Sequence, residues 1–366
     1  MTGKTLKKNL TTTVFIVLIF ALLGVNAFAL QEEKISTLSD YLYTKDLAKY
    51  EAIKAVADNQ QKIDQLTALL KERPISRILL YAVSDYIVSA NKIAGNNPDK
   101  LISLAQTLSD LIPTDAAIQA EAPYIPVGLD AFKKDHLLPA RQLVLKTIAD
   151  AYVKKKDFAQ AAEYAEKAYK IIPDKQLTQV LFGLYTQLGN EAKTISYGNE
   201  MLKQFPMKQR EGYTTALQLA DIYIKKKDVK SATNLFSKLM DAYGSSVPEG
   251  MQETQWNPTR ALAYTYMAQD AYTKKSYSTA EQLYQKVLTF DSRRDDAYYF
   301  LGMCRWQLKD QASAIVYFAR CFVLNKQYAA KAKQYMDQLF KAEYPNAKEG
   351  DLEEIINKAK SDLRLS

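Results

Sequence analysis

The sequence of 366 residues predicts an all-α solenoid of antiparallel helix pairs, because one two-helix pattern recurs along it. Between Leu143 and Pro173 it reads as two amphipathic helices, with apolar residues at i, i+3, i+4 and i+7 in the first. A short polar turn separates them and ends at Asp157, whose carboxylate suits a helix N-cap. The segments IADAYVKKKD (148–157) and LADIYIKKKD (219–228) repeat this pattern, 71 residues apart. That offset is about two units of 34 residues.

The pattern occurs five times between residues 141 and 328, in nearly constant register. The residues in the position of the predicted cap are all good helix N-caps: Asp157, Asn190, Asp228, Ser276 and Asp310. Four residues later stand small residues that would let paired backbones approach closely: Ala161, Thr194, Ala232, Ala280 and Ala314. Between the third and fourth copies the cap spacing is 48 residues. An insertion loop is therefore predicted at 244–260, and Trp256 within it is expected to pin the loop onto the next helix.

This pattern resembles the tetratricopeptide repeat (TPR) family, with its Leu-Gly, Tyr, Ala, aromatic and Pro slots. The resemblance covers about residues 142–328 and includes departures from the family's pattern. Phe182 fills a slot that is usually small, and the closing proline, present at Pro173 and Pro206, is missing from the third copy onward. The resemblance implies a right-handed superhelix whose first helices line a concave groove that holds a peptide or a partner helix.

Ten residues fall beside the packed face of the first helices and are the candidate partner-binding residues of that groove. They are Lys146, Asp150 and Lys154 in the first copy, Gln179 in the second, Leu217, Asp221 and Lys225 in the third, and Tyr299, Met303 and Trp306 in the fifth. The groove is therefore expected to be charged at one end and aromatic at the other. Some family members clamp a terminal carboxylate with Lys and Asn, and Lys146 matches one Lys slot. Asp150 stands where an Asn is expected, which argues against such a clamp.

Aromatic residues on one helix face predict the strongest contact with a partner. Tyr299, Met303 and Trp306 lie at i, i+4 and i+7, so they share a face. Interfaces draw most of their energy from a few Trp, Tyr and Arg anchors. We therefore expect a binding hot spot here; the alternative is that Trp306 packs under the C-terminal helices.

The first 29 residues have the pattern of an export signal. Three lysines precede an apolar run at 14–25, which is short for a membrane span, and Ala27-Phe28-Ala29 fits the small-x-small cleavage pattern. We expect cleavage after Ala29 and a periplasmic or extracellular protein. The alternative is an uncleaved helix that anchors the protein in the membrane. Removal of the three lysines would lower the net charge from +8 to +5, since no acid lies in the segment.

The remaining segments are also helical in pattern. Residues 30–74 read as a polar N-terminal helical segment that ends at Pro74, and residues 75–140 as a helical region with a possible degenerate repeat. In that repeat Gly95-Asn96-Asn97-Pro98 is the predicted turn. Residues 329–366 are predicted to form helices that cover the last apolar face of the array, as repeat proteins require.

Catalytic and cofactor motifs are absent from the sequence. It contains no GxxxxGK[ST], GxGxxG or GxSxG motif and one histidine, His136, expected to be loosely packed. Cys304 and Cys321 would lie roughly 9 Å apart along a helix hairpin, too far for a disulfide, and are expected to be buried thiols.

We therefore expect an exported, non-catalytic scaffold that binds a protein or peptide, without cofactor, metal or nucleic acid. The membrane would be a partner only if the N-terminal helix is retained. One alternative is a membrane-anchored scaffold. The other is a small-ligand-binding or enzymatic protein with a site in residues 30–140.

Overall fold

A computed structural model of the chain describes residues 38–120, 128–348 and 350–365, and these contain helices and no strand. The predicted export signal and the prolines at 123 and 126 lie outside the described residues. The chain divides into two compact units, which meet in sequence at Glu200 and Met201. The predicted all-α solenoid of antiparallel helix pairs is confirmed within each unit, because consecutive helices pack against one another.

The first unit contains ten α-helices and one π-helical segment among its described residues. They are α1 (Leu38–Lys54), α2 (Asn59–Glu72), α3 (Leu79–Ala94), α4 (Pro98–Leu111), α5 (Asp115–Ala120), α6 (Leu129–Phe132), the π-helix (Lys133–Leu137), α7 (Leu138–Lys155), α8 (Phe158–Ile171), α9 (Lys175–Gln187) and α10 (Glu191–Gln204). Helix α4 packs against α7, so the α3–α4 pair stacks directly on the α7–α8 pair.

The second unit begins in the last turn of α10 and continues as four helix pairs. They are α11 (Arg210–Lys225) and α12 (Val229–Tyr243), α13 (Glu253–Thr273) and α14 (Tyr277–Phe290), α15 (Asp295–Gln307) and α16 (Gln311–Val323), and α17 (Ala329–Glu343) and α18 (Asp351–Asp362). Each helix packs against the next from α11 to α17, and α18 packs against α16.

The turn between the two helices of each predicted repeat copy has the same geometry in all five copies, the Schellman motif. In the third copy the N–H of Lys227 donates to the Ile224 carbonyl at 2.9 Å, and the N–H of Asp228 donates to the Tyr223 carbonyl at 2.9 Å. The same two bonds recur in the other four copies. The motif needs one residue in the left-handed conformation, and the five residues there have φ between 59° and 67°: Lys156, Gly189, Lys227, Lys275 and Lys309.

The residue after the left-handed position starts the second helix, as predicted. Asp157, Asn190, Asp228 and Asp310 each accept a hydrogen bond from the backbone N–H three residues later, at 3.0–3.1 Å. Ser276 also occupies the N-cap position, as predicted, but its side chain makes no capping hydrogen bond. Helix α14 still begins after Ser276, because the Schellman bonds of the turn are made by the backbone alone.

The predicted small residues lie where paired helices are closest. All five residues four positions after the caps are buried, with at most 2% of their surface exposed: Ala161, Thr194, Ala232, Ala280 and Ala314. Gly302 on α15 shows the same constraint, since a Cβ there would lie 2.7 Å from the Phe318 ring on α16. The close approach of paired helices therefore depends on small side chains.

The insertion is shorter than predicted, because α13 begins at Glu253 and leaves 244–252 as the loop. A capping box between Gln252 and Gln255 starts the helix early. Trp256 therefore lies in a helix, is 1% exposed, and packs edge-on against Tyr213 and Tyr243 with ring centroids 5.9 and 5.3 Å away. It fastens α13 to α11 and α12.

Arg260, and not Trp256, fastens the insertion loop. Its guanidinium donates hydrogen bonds to the Ser245 and Ser246 carbonyls, the second at 2.8 Å, and lies over the Phe290 ring. The sequence pattern gave no sign of this contact, since Arg260 sits at the end of the predicted loop.

The described residues also settle several smaller expectations. The α3–α4 turn contains Asn97, whose side chain accepts from the Lys100 N–H at 3.1 Å, as at the repeat caps. Cys304 and Cys321 are both buried free thiols, as expected. In the described part of the chain, no helix is both long and apolar enough to span a bilayer.

We predict that Ala280→Leu will lower the free energy of unfolding by roughly 1–3 kcal/mol, because the larger side chain overpacks the α13–α14 contact. Ala312→Leu is the matched control, since Ala312 is exposed on α16. Chemical denaturation of both variants measures the difference. Equal stabilities for the two variants would contradict the close α13–α14 approach.

Candidate partner-binding faces

In the first unit, one face of α7 carries a row of polar residues at intervals of four. Gln142 donates to the Ile172 carbonyl at 2.6 Å. Lys146 Nζ lies 3.0 Å from Gln176 Oε1 and 3.8 Å from Asp174 Oδ2. The first half of this face is thus bonded to the start of α9. Sequence reasoning found Lys146 but missed its partners, since they belong to the next repeat.

Asp150 follows Lys146 on the same face and has an unusual environment. It is partly buried, and no described residue donates a hydrogen bond to its carboxylate or forms an ion pair with it within 4.0 Å. Burial raises the pKa of Asp150 from 3.8 to about 7, although the charges of Lys146 and Lys154 act in the opposite direction. The ionised carboxylate is therefore destabilised in the folded chain.

The other charged candidates are more fully solvated. Lys154 is exposed at the end of α7, and Gln179 is partly buried on α9. On α11 in the second unit, Asp221 and Lys225 are exposed and form an ion pair at 2.6 Å, while Leu217 is partly buried. An exposed pair one helical turn apart contributes little to stability. These residues stay predictions as partner contacts.

The aromatic candidates on α15 do not form the exposed cluster that the sequence suggested. Tyr299 is only 8% exposed and stacks on Tyr328 with ring centroids 4.8 Å apart, so it belongs to the core and not to an exposed hot spot. The reason is that Tyr328 and Tyr335, at and within α17, cover it. Met303 and Trp306 remain partly exposed.

Trp306 packs against Tyr335 of α17 with ring centroids 5.4 Å apart. This contact matches the alternative that Trp306 lies against the C-terminal helices, although part of the indole stays exposed. Tyr335 itself is partly exposed and was missed by the sequence reasoning, because residues 329–366 were interpreted only as a cap. Met303, Trp306 and Tyr335 therefore leave a partly exposed surface on α15 and α17.

The alternative hypothesis places a small-ligand or enzymatic site in residues 30–140. His136 lies in the π-helix with its ring 5.7 Å from that of Phe132, and its buried Nδ1 has no hydrogen-bond partner. Burial lowers the pKa of His136. Among the described residues, no three His, Cys, Asp or Glu side chains are grouped as metal ligands. A cavity of about 510 Å³ lies elsewhere, between α17 and α18, lined by Phe340, Tyr344 and Ile355.

We predict that Asp150→Asn will raise the melting temperature at pH 8 and change it little at pH 4. A carboxyl whose pKa is raised by folding is protonated in both states below about pH 4. It destabilises the folded state increasingly as the pH rises towards 7. The amide has no ionised form and avoids this loss.

Asp221→Asn is the control for that measurement, since Asp221 is exposed and paired with Lys225. Melts of both variants at the two pH values give the comparison. A gain for Asp150→Asn that does not depend on pH would contradict the raised pKa.

The family model for the tetratricopeptide repeat matches residues 147–175 and 295–328. A TPR repeat-containing protein of Methanocaldococcus jannaschii is 21% identical over 255 residues, which cover 68% of this chain. The chain spans only 42% of that relative's length.

Two solved structures are similar at low identity. The TPR2AB-domain:pHSP90 complex of yeast Sti1 is 13% identical, with 87% of this chain and 99% of that chain covered and a TM-score of 0.31. A tetratricopeptide repeat protein from Parabacteroides merdae is 15% identical, with 75% and 98% covered and a TM-score of 0.30. The family-model matches, the capped Schellman turns and the small residues at the helix contacts make the chain similar to tetratricopeptide repeat proteins over these segments.

Proposed function

We propose that this protein is an exported, non-catalytic scaffold that binds a protein or peptide partner on the faces of its first helices. The observation that supports it best is the partly exposed surface of Met303, Trp306 and Tyr335 on α15 and α17. These are first helices of successive pairs in the second unit. Exposed Met and aromatic side chains are typical of sites that bind partners.

Polar residues on α7 supply a second possible contact face in the first unit. Lys146 is held by α9, and Asp150 keeps a carboxylate without a protein donor. A partner with hydrogen-bond donors would satisfy that carboxylate. Because Asp150 is only partly buried, such a partner could reach its carboxylate.

We predict that a photo-crosslinking residue at Met303 will form adducts with a partner in cells, while one at Val316 will not. Val316 is the matched control because it is 39% exposed and lies on α16, the second helix of the same pair. Adducts are detected by gel shift and mass spectrometry. Adducts at Val316 but not at Met303 would place the binding surface on the opposite face.

Met303 is a better probe than Trp306 for this purpose. Because Trp306 packs against Tyr335, Trp306→Ala would lower the melting temperature as well as any partner affinity. Loss of binding in that variant alone would therefore not separate folding from recognition. Met303 has no ring and takes no part in such stacking.

The export part of the proposal rests on residues 1–29 alone. We predict that the mature chain begins at Leu30, because Ala27 and Ala29 are the small residues that signal cleavage requires. Intact mass of the protein from the envelope fraction measures this, and Ala29→Phe should leave the longer chain. A chain that begins at Met1 and is extracted only by detergent would favour the membrane-anchored scaffold instead.

A further inference from the structure

One end of the second unit carries the turns of three successive helix pairs. Because consecutive helices run antiparallel, the turns α11–α12, α13–α14 and α15–α16 lie at the same end. We call this surface the turn edge and define it as residues 225–229, 274–277 and 307–310. The groove faces described above lie along the helices and not at this end.

Each turn of the edge places a lysine in the left-handed position of its Schellman motif. Lys227, Lys275 and Lys309 have φ of 59°, 62° and 67°, and all three are exposed. No described residue forms an ion pair or side-chain hydrogen bond with any of them. Three unpaired ammonium groups therefore project from consecutive repeats.

This position is unfavourable for lysine. A Cβ clashes in the left-handed conformation, and glycine is the usual residue there. The equivalent position in the first unit's second copy is indeed Gly189, with φ of 66°. Helix C-termini favour a cation, but Lys225, Lys274 and Arg305 already supply one near the ends of the three helices. The recurrence of lysine here therefore indicates a use outside folding.

The acidic residues near these turns leave the edge basic. Lys225 and Lys274 pair with Asp221 and Asp270 at 2.6 Å, so these ion pairs cancel. Asp228 and Asp310 keep their negative charge as helix caps, and Asp310 pairs with Arg305 at 3.1 Å, so the three lysines at the left-handed positions outnumber these acids. Exposed acids at the α17–α18 junction, Glu343, Asp351 and Glu353, bound the basic region on one side.

Large apolar side chains stand exposed beside the lysines. Val229 is 40% exposed directly after the first turn, and Leu308 is 42% exposed directly before Lys309. Tyr277, after the second turn, is partly exposed. Lysines interspersed with exposed apolar side chains are the composition of surfaces that lie in a membrane interface. A site for a soluble polyanion would not need the exposed leucine and valine.

From these observations we infer that the turn edge of the second unit binds the surface of an anionic phospholipid membrane. Lys227, Lys275 and Lys309 contact headgroup phosphates, and Val229 and Leu308 enter the headgroup region. The attachment is peripheral and does not require the N-terminal helix. It also leaves Met303 and the groove face free, so it is independent of the proposed partner binding.

The test is co-sedimentation of the full chain with two kinds of vesicle, pure phosphatidylcholine and a mixture with about one third phosphatidylglycerol. The ratio of the affinities for the two kinds of vesicle measures the contribution of lipid charge, because a retained apolar N-terminal segment would bind both kinds. The test variant is Lys227→Gly, Lys275→Gly and Lys309→Gly combined. Each lysine near an anionic surface contributes about fivefold in affinity, so the ratio should fall about a hundredfold.

Glycine is chosen because it removes the charge and relieves the left-handed backbone. The variant should melt at the same temperature as the parent or higher, so that lost binding cannot come from unfolding. The control is Lys208→Gln, Lys286→Gln and Lys331→Gln combined. These exposed lysines lie at the opposite end of the unit, and their replacement removes the same charge.

A folded edge variant that loses the preference for anionic vesicles, beside a control that keeps it, supports the proposal. An equal loss in both variants would show an effect of net charge and overturn it. It is also overturned if the parent ignores anionic vesicles but binds duplex DNA or polyglutamate through the same lysines. The proposal is also overturned if a folded edge variant still binds anionic vesicles as tightly as the parent does.

Discussion

The fold depends on a turn in which one residue ends a helix and starts the next. In the turn that contains Asp228, the N–H of that residue closes α11 and its carboxylate opens α12. Lys227 is the one left-handed residue between α11 and Asp228. So short a connection leaves the two helices little freedom of crossing angle. They approach most closely one turn later, where only a small side chain such as Ala232 fits.

This constraint explains how much of the fold the sequence predicted. Caps and small residues follow from interactions within a few residues, and they occur at a fixed spacing that survives low similarity between copies. Ser276 shows the tolerance of the system, because the backbone bonds of its turn form without a side-chain cap. The start of α13 was missed because its capping box uses Gln252 in place of the usual Ser or Thr, and the burial of Trp256 was missed for a different reason. Trp256 finds its apolar surroundings on α11 and α12, which no local pattern reports.

The candidate site was predicted less well, because exposure depends on neighbours outside the repeat that carries the residue. The periodicity placed Tyr299 correctly on one face with Met303, but Tyr328 and Tyr335 of the following pair cover Tyr299. The same dependence hid the partner of Lys146, which is Gln176 at the start of the next pair. A repeat pattern therefore identifies the face that a residue occupies, whereas the next repeat decides whether that face is accessible.

Two features of the chain oppose its own stability. Asp150 keeps an ionisable carboxyl where burial disfavours its charge and an amide would satisfy the fold better. Lys227, Lys275 and Lys309 occupy a backbone conformation that Gly189 adopts without strain. Natural sequences agree with their fold at most positions and depart from it mainly where function requires. Such departures are the basis of the two binding surfaces that we propose. They point to the groove face of the first unit and the turn edge of the second.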